Sequence, residues 1–496
     1  MAKHLDKYLH HSFDNEAGKL HAYKRTKIVA TVGPACESYE QLLGLVKAGV
    51  NVFRLNFSHG AHEDKARIIE DIQRINKSQP YNIAILADLQ GPKLRVGEIE
   101  GGSMNIKEGD ILTFTNEKVV GNFERTYVSY PNLHQDVKKG EKILLDDGKM
   151  EVMVEEITAK KEVKVRVLLG GTLLPKKGVN LPETNISLPA LTEKDLNDLA
   201  FIFTQPVEWI ALSFVRSTNC VKQLKERIKT NGHKAKVIAK IEMPQAISHL
   251  RDIIIESDAI MIARGDLGVE LPVEAVPLLQ KDIIKKCIHR AKPVIVATQM
   301  MESMMERSKP NRSEISDVAN AVLEGTDAVM LSGETAVGQH PQLVVETMTR
   351  IILEVEAKAY EYNREEMLRP QAHSPSFLSD AICYNACELA QDVSADAIIG
   401  MTQSGYTGFM LSSYRPKAHL YVFTKERSLV NQLSLSWGVR AFYYDEEESL
   451  DEIFKDQIDI LKERSFLKKG DVVVSTGSTP VHLHLPTNII KVAKVE

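Results

Sequence analysis

No run of about 18 apolar residues occurs in the 496-residue chain, which argues against a membrane-spanning helix. The opening stretch MAKHLDKYLHHSFDNEAGKLHAYKR lacks the apolar segment of a secretory signal, so a cytoplasmic protein is expected. Cysteine is scarce. Cys36, Cys220, Cys287, Cys383 and Cys387 are odd in number and mostly far apart, which excludes a disulfide framework and fits reduced thiols. Cys383 and Cys387 fall one helical turn apart with no further ligand spaced for a metal, and the pair is read as structural. His10 and His11 read as a solvated tail. The net charge of −5 and the absence of a basic stripe with interleaved aromatics exclude a general nucleic-acid binder, so any attraction for anions must be local to a cleft. What remains is an ordinary soluble composition, long enough for about three domains of ~100–200 residues.

Eight short apolar runs lie between residues 26 and 331: TKIVATV, VNVFRLN, NIAILAD, EWIALSF, KVIAKIE, DAIMIAR, PVIVATQ and TDAVMLS. Amphipathic stretches such as YEQLLGLVKAG and NRSEISDVANAVLEG separate most of them, so the pattern reads as repeated β-then-α units and predicts a TIM (β/α)8 barrel. Active sites of such barrels lie at the C-terminal ends of the strands. The exits of these runs carry Thr31; Arg54, Asn56 and Ser58; Asp88; Ser213 and Arg216; Lys240 and Glu242; Arg264 and Asp266; Thr298 and Gln299; and Ser332 and Glu334. Singly, each is as easily a cap or turn former. Their concentration on one rim points to a site.

Lys240 and Glu242 are two apart on one strand and therefore share a face. Taken alone, that pair is equally well a buried ion pair. With Asp266 from the next run, two carboxylates suit a hard divalent cation such as Mg²⁺ or Mn²⁺, and the ammonium can neutralise a bound anion.

Between Asp88 and Glu208 the barrel pattern is interrupted by alternating, turn-punctuated segments such as DILTFT, EKILLDDGKMEVMVEEI and KEVKVRVLLGG. They predict a small antiparallel β domain, placed on the active-site rim as a lid. After a long helical stretch beginning at PQLVVETM, a second α/β pattern follows. Two of its loops, Thr402 to Thr407 and Ser475 to Thr479, combine hydroxyls, glycine and backbone N–H groups in a form that serves either as an anion nest or as plain turn chemistry. Arg415 and Lys417 nearby favour the anion reading. The expected partition is a tail over 1–22, the barrel over 23–89 and 189–350, the lid over 90–188 and a C-terminal α/β domain over 351–496.

The segments TKIVATVGPA, NVFRLNFSHG, DLQGPKLRVG, LPALTEKD, AKIEMPQA, MIARGDLGVELP, VATQMMESM and LSGETAVG resemble those of the pyruvate kinase family, in order, from Arg25 to about Gly338. The third region resembles that family's effector domain by looser motifs. The resemblance implies transfer of a phosphoryl group from phosphoenolpyruvate to ADP, giving pyruvate and ATP at the end of glycolysis. It places Glu242 and Asp266 on Mg²⁺ (or Mn²⁺), Lys240 and Arg54 on the phosphoryl group, and the backbone N–H groups of Arg264, Gly265 and Asp266 on the substrate carboxylate. Thr298 falls where the enolate is protonated, with Ser332 and Glu334 behind it. Arg54, Asn56, His59, Arg95 and Lys194 fall near the nucleotide, and Asp147 is a weaker candidate.

Many family members carry Glu where this chain has Lys93, and hold a monovalent cation with residues matching Asn56, Ser58, Asp88 and the backbone of Leu89. An ammonium at position 93 would replace that cation, so K⁺ is not expected to be required. Leu89, Gln90 and Val96 match the potassium-independent branch. In relatives the loop matching Thr402, Ser404, Gly405 and Thr407 grips the phosphate of a sugar phosphate effector, although Gln403 stands where some carry Lys. A homotetramer is implied, with no membrane and no nucleic-acid partner. Two alternatives stay in view: another Mg²⁺-dependent phosphoenolpyruvate or pyruvate barrel enzyme, which would not need a nucleotide lid, and a catalytically silent metabolite sensor, which would be expected to lose Lys240, Glu242, Asp266 or Thr298.

Overall fold

Eight parallel strands close into a barrel in which every strand neighbours the next in sequence. They are β1 (Lys27–Thr31), β2 (Val52–Asn56), β3 (Ala84–Asp88), β4 (Trp209–Leu212), β5 (Lys236–Ile241), β6 (Ala259–Ala263), β7 (Val294–Ala297) and β8 (Ala328–Leu331). The computed structural model describes residues 24–358, 369–370, 376–446, 448–483 and 485–496. The expected tail over 1–22, with His10 and His11, lies outside the described residues.

The strands are continuous apolar runs because both faces are covered, as parallel sheets require. Alternate residues face opposite ways. Val29, Val52, Leu86, Trp209, Ile238, Met261, Ile295 and Met330 fill the barrel interior, while Ile28, Phe53, Ile85, Ile260 and Val329 pack outward against the helices. Several helices start at local caps: Ser38 with Gln41, Thr192 with Asp195 and Asn311 with Glu314 each form a reciprocal capping box.

The inserted segment builds a six-stranded sheet in the order Val179–Asn180, Lys142–Leu145, Met150–Ile157, Val163–Leu169, Ile111–Thr115 and Thr126–Tyr127. Its pairings are antiparallel except the last, where Ile111–Thr115 and Thr126–Tyr127 run parallel, so the sheet is mixed rather than purely antiparallel. The ten residues between those two strands are enough to carry the chain back to the same end of the sheet without a tight hairpin. Arg216, at the exit of β4, donates to the carbonyls of Ile186 and Leu188 and so clamps the segment by which the chain returns to the barrel.

The C-terminal sheet orders β11 (Val439–Tyr443), β10 (His419–Thr424), β9 (Ala397–Met401), β12 (Val472–Gly477) and β13 (Ile489–Lys494), all parallel except β13. The long helical stretch expected from Pro341 is a helix over Pro341–Glu356; residues 359–368 of that stretch lie outside the described residues. This region closes the floor of the barrel. Leu435 joins the barrel's interior core, and the Trp209 indole donates to the Gln432 carbonyl at 3.3 Å. One expectation is corrected here. Arg415 does not face an anion loop: it pairs with Asp327 at 2.9 Å and donates to the Gly325 carbonyl at 2.8 Å, because the buried Asp327 at the start of β8 needs a cation across the seam. Lys417 contributes its carbonyl to Arg25 in the same seam.

Candidate active site

At the C-terminal rim, three strand ends deliver opposite charges into one buried cluster. Arg54 ends β2, Asp88 ends β3, and Lys240 with Glu242 ends β5. The Arg54 guanidinium meets Asp88 Oδ2 at 2.6 Å through one terminal nitrogen and at 2.7 Å through Nε, and donates to Thr31 Oγ1 at 3.0 Å. The Lys240 ammonium lies 2.9 Å from Glu242 Oε1 and 3.3 Å from Asp88 Oδ1, and donates to Ser213 Oγ at 2.7 Å. Ser213 hands its own proton to the Leu89 carbonyl at 2.7 Å. The second oxygen of Glu242 accepts from the Phe214 N–H at 2.7 Å, at a residue with φ +55. The conformation is uncommon for an aromatic residue.

Electrostatics follow from this packing. Burial disfavours the Lys240 charge, but Asp88 and Glu242 override it and its pKa is raised, so the ammonium is fixed. Burial likewise opposes charge on Asp88, and the pull of Lys240 and Arg54 wins, leaving its pKa lowered. Glu242 is pushed up by burial and by Asp266, against the pull of Lys240. Two carboxylates that repel one another at a site with few cations left over are a place for an added positive ion. Among the described residues no group of three or more His, Cys, Asp or Glu side chains is arranged for a metal. Glu242 and Asp266 offer two hard oxygen donors, and a divalent ion held there would take its remaining oxygens from water and substrate.

The helix Arg264–Glu270 starts at the end of β6 and carries Asp266 in its first turn. Its N-terminal amides are not all open: the Gly265 N–H donates to Thr298 Oγ1 at 2.7 Å. The Arg264 side chain forms a two-pronged pair with Asp317, at 2.6 and 2.7 Å, and reaches the Thr298 carbonyl at 2.8 Å. Thr298 (φ +67) and Gln299 (φ +54) hold the left-handed region. For a β-branched threonine that costs about 1–3 kcal/mol, which the surrounding contacts must offset. Behind it, the buried Glu334 accepts from the N–H groups of Ser332 at 2.7 Å and Met301 at 3.3 Å, and burial raises its pKa against those two bonds.

The other predicted residues spread along the rim. Asn56 Oδ1 accepts from the Ser58 N–H at 3.0 Å. Exposed His59 gives its carbonyl to Lys65 at 2.5 Å. Lys194 reaches from the helix Glu193–Ile202 to the Phe57 carbonyl at 2.5 Å and to Asp198 at 2.7 Å. Arg95 stands in the lid, donating to the Lys176 carbonyl at 2.9 Å. Asp147 (φ +56) lies in a lid turn facing Gly178. Lys93 lies with its Cε beside Gly178, while Asp88 is held by Arg54 and Lys240.

In the C-terminal region the two loops leave neighbouring strands β9 and β12 on the same edge. Thr402 Oγ1 accepts from the Gly405 N–H at 3.0 Å, Ser404 Oγ from Tyr406 N–H at 3.4 Å, and the buried Thr407 hydroxyl bonds Thr487 at 2.7 Å. Gly405 takes φ +90, a conformation that favours glycine. Sequence reading missed Asp317, Asp198, Asn180 and Glu270. Only Asp198 left a signal, as the residue one helical turn after Lys194.

Two family profiles match the chain: pyruvate kinase, barrel domain, over residues 23–345, and pyruvate kinase, alpha/beta domain, over 380–493. The chain belongs to the pyruvate kinase family. A pyruvate kinase of Geobacillus stearothermophilus is 42% identical over 473 residues, covering 95% of this chain and 80% of that one. A pyruvate kinase of Mycobacterium tuberculosis is 40% identical, covering 95% and 98%. In structure, a pyruvate kinase of Cryptosporidium parvum superposes with a TM-score of 0.88 at 32% identity, covering 96% of this chain and 97% of that one. As a pyruvate kinase the chain is a glycolytic phosphotransferase that acts on phosphoenolpyruvate and ADP with a divalent metal. No helix among the described residues is long and apolar enough to cross a membrane.

Proposed function

We propose that the phosphoryl group of phosphoenolpyruvate is passed to ADP on the strand-end rim, with Lys240 and Arg54 as the cations that receive it. The observation that carries this reading is the buried cluster of Arg54, Asp88, Lys240 and Glu242, with Asp266 beside it. Lys240 and Arg54 are held in place by Asp88 before substrate arrives, so little reorganisation is needed as charge moves. Glu242 and Asp266 hold Mg²⁺, with Mn²⁺ as a substitute. When bound, the metal supplies charge stabilisation for the enolate and phosphoryl oxygens. The Arg264, Gly265 and Asp266 N–H groups receive the carboxylate, for which Gly265 must exchange its bond to Thr298. That exchange opens the acceptor side of Thr298 Oγ1, whose own proton goes to the Ala297 carbonyl at 2.6 Å, toward the enolate, where it positions the proton that completes pyruvate, with Ser332 and Glu334 behind it. Asn56, His59, Arg95 and Lys194 line the nucleotide side.

The finer reading is that K⁺ is not required, because Lys93 supplies the positive charge beside Asn56, Ser58, Asp88 and Leu89. Its support is the lysine itself and the buried Asp88 Oδ1, which among the described residues accepts no hydrogen bond and pairs with Lys240 at 3.3 Å. We further read the loop of Thr402, Ser404, Gly405 and Thr407 as the seat of a sugar phosphate effector, on the strength of its hydroxyls and its left-handed glycine, in a cytoplasmic homotetramer. Pyruvate release from phosphoenolpyruvate and Mg²⁺, with and without ADP, in potassium-free buffer tests the central claim. ADP-dependent release supports both the kinase and the role of Lys93; release only on adding K⁺ removes Lys93 from the reading. ADP-independent release returns the alternative of another Mg²⁺-dependent phosphoenolpyruvate or pyruvate barrel enzyme. Lys93→Glu is expected to make the enzyme potassium-dependent. Ser404→Ala with Thr407→Ala should abolish activation by sugar phosphates, and sedimentation reads the tetramer.

A further inference from the structure

We infer that Glu270 is a positioning residue that fastens the lid over the catalytic rim through Asn180, with the carboxylates of Glu242 and Asp266 setting how firmly it holds. Asn180 belongs to the strand Val179–Asn180 at the edge of the lid sheet, and its Nδ2 donates to Glu270 Oε1 at 2.7 Å. Glu270 is 6% exposed, and its other oxygen, Oε2, is buried without a hydrogen-bond partner. A buried carboxylate with one unmet oxygen is a costly feature to keep for structure alone. A second contact lies alongside. The lid turn at Gly148 approaches Val269, whose Cγ1 would meet a Cβ on that glycine at 3.7 Å.

Both contacts fall on the helix Arg264–Glu270, which has Asp266 in its first turn and Glu270 at its last residue. The lid thus docks on the same short rod that carries a metal carboxylate. Burial disfavours charge on Glu270 most, and Asp266 and Glu242 add their repulsion against the bond from Asn180. With that repulsion unrelieved, Glu270 is a strained acceptor. A cation between Glu242 and Asp266 offsets the repulsion and lets Glu270 hold Asn180 as a full carboxylate, which is a stronger acceptor than a neutral one. Lid docking therefore becomes linked to metal occupancy, and the link is reciprocal.

This inference rests on Glu242 and Asp266 being the metal pair. Hydrogen exchange of lid peptides spanning Gly148 and Asn180, measured on the full chain with and without Mn²⁺, tests it. The wild-type lid should gain protection on adding Mn²⁺. Glu270→Ala and Asn180→Ala should both expose these peptides about fivefold faster with metal present, the size expected for one lost hydrogen bond. Glu270→Gln keeps an acceptor but not the charge, so its protection should no longer respond to Mn²⁺. Exchange in the barrel strands should be unchanged in every variant, which separates undocking from misfolding. The KM for ADP should rise in Asn180→Ala more than kcat falls. Wild-type lid exchange in the Ala variants, or an intact Mn²⁺ response in Glu270→Gln, overturns the latch. Direct Mn²⁺ binding to Glu242→Gln separates the two claims: binding as tight as wild type removes the metal assignment, whereas lost binding with unaltered lid exchange in the Glu270 and Asn180 variants removes the latch alone.

Discussion

Replacing Lys240 by Gln should make the site bind metal more tightly while nearly stopping turnover. The ammonium is only 11% exposed and faces Glu242 and Asp88 at 2.9 and 3.3 Å. Its loss leaves Asp88, Glu242 and Asp266 against the single guanidinium of Arg54. One uncompensated charge several ångströms from a divalent ion strengthens binding by at least about 1 kcal/mol even in a well-screened site, about fivefold in affinity. Removing a fixed cation from the path of the phosphoryl group should lower kcat by about 100-fold or more. Stability should also suffer. Breaking a buried pair costs about 3–5 kcal/mol, and the lower end applies because Arg54 still holds Asp88 and the Phe214 N–H still holds Glu242. Calorimetric titration with Mn²⁺ and coupled pyruvate release on the same preparation read both effects. A variant that keeps more than a tenth of wild-type turnover, or that binds Mn²⁺ more weakly, would show that Lys240 is a structural strut and refute the reasoning.

Thr298→Val keeps the shape but removes the acceptor for the Gly265 N–H, now 2.7 Å away. Turnover should fall by about 100-fold, with roughly 1 kcal/mol of stability lost, read by pyruvate release and thermal melting. Arg264→Lys cannot reproduce the two-pronged pair with Asp317 and should cost about 1–3 kcal/mol; a double-mutant cycle with Asp317→Asn should recover most of it as coupling. Glu208, 4% exposed under the C-terminal region, is pushed up to about 7 by burial against the bonds from the Ile85 N–H and Asn431. A carboxyl whose folded pKa lies above its unfolded value stabilises fully below the unfolded value, near 4.5, and loses that contribution as pH rises through about 7. Between pH 5 and 8 wild type should therefore lose up to about 3 kcal/mol relative to Glu208→Gln, seen as thermal midpoints that diverge with rising pH. Parallel midpoints would remove Glu208 as the cause.

The barrel was legible because its strands are short apolar runs that end in polar residues, a pattern set by burial on both faces. Arg54, Asp88, Lys240 and Glu242 could each be placed on the rim from their position at a run's end. Their partners could not be read the same way. Asp317 meets Arg264 across 53 residues and Asn180 meets Glu270 across 90, and nothing local in those segments marks the contact. Arg415 shows the opposite failure. Its neighbourhood of hydroxyls and glycine suggested an anion loop, but the buried Asp327, 88 residues away, claims the guanidinium.

The sequence by itself determined the order of βα units, the inserted β segment, the caps that start several helices and the family to which the motifs belong. These depend on periodicity and on residues close in the chain, where backbone geometry fixes who faces whom. Tertiary structure alone decided which charges are buried together, that the Gly265 N–H is engaged by Thr298, that Leu435 closes the barrel floor and that the lid rests on the helix bearing Asp266. Those outcomes depend on desolvation and on distances of a few ångströms between segments far apart in sequence, which no local pattern encodes.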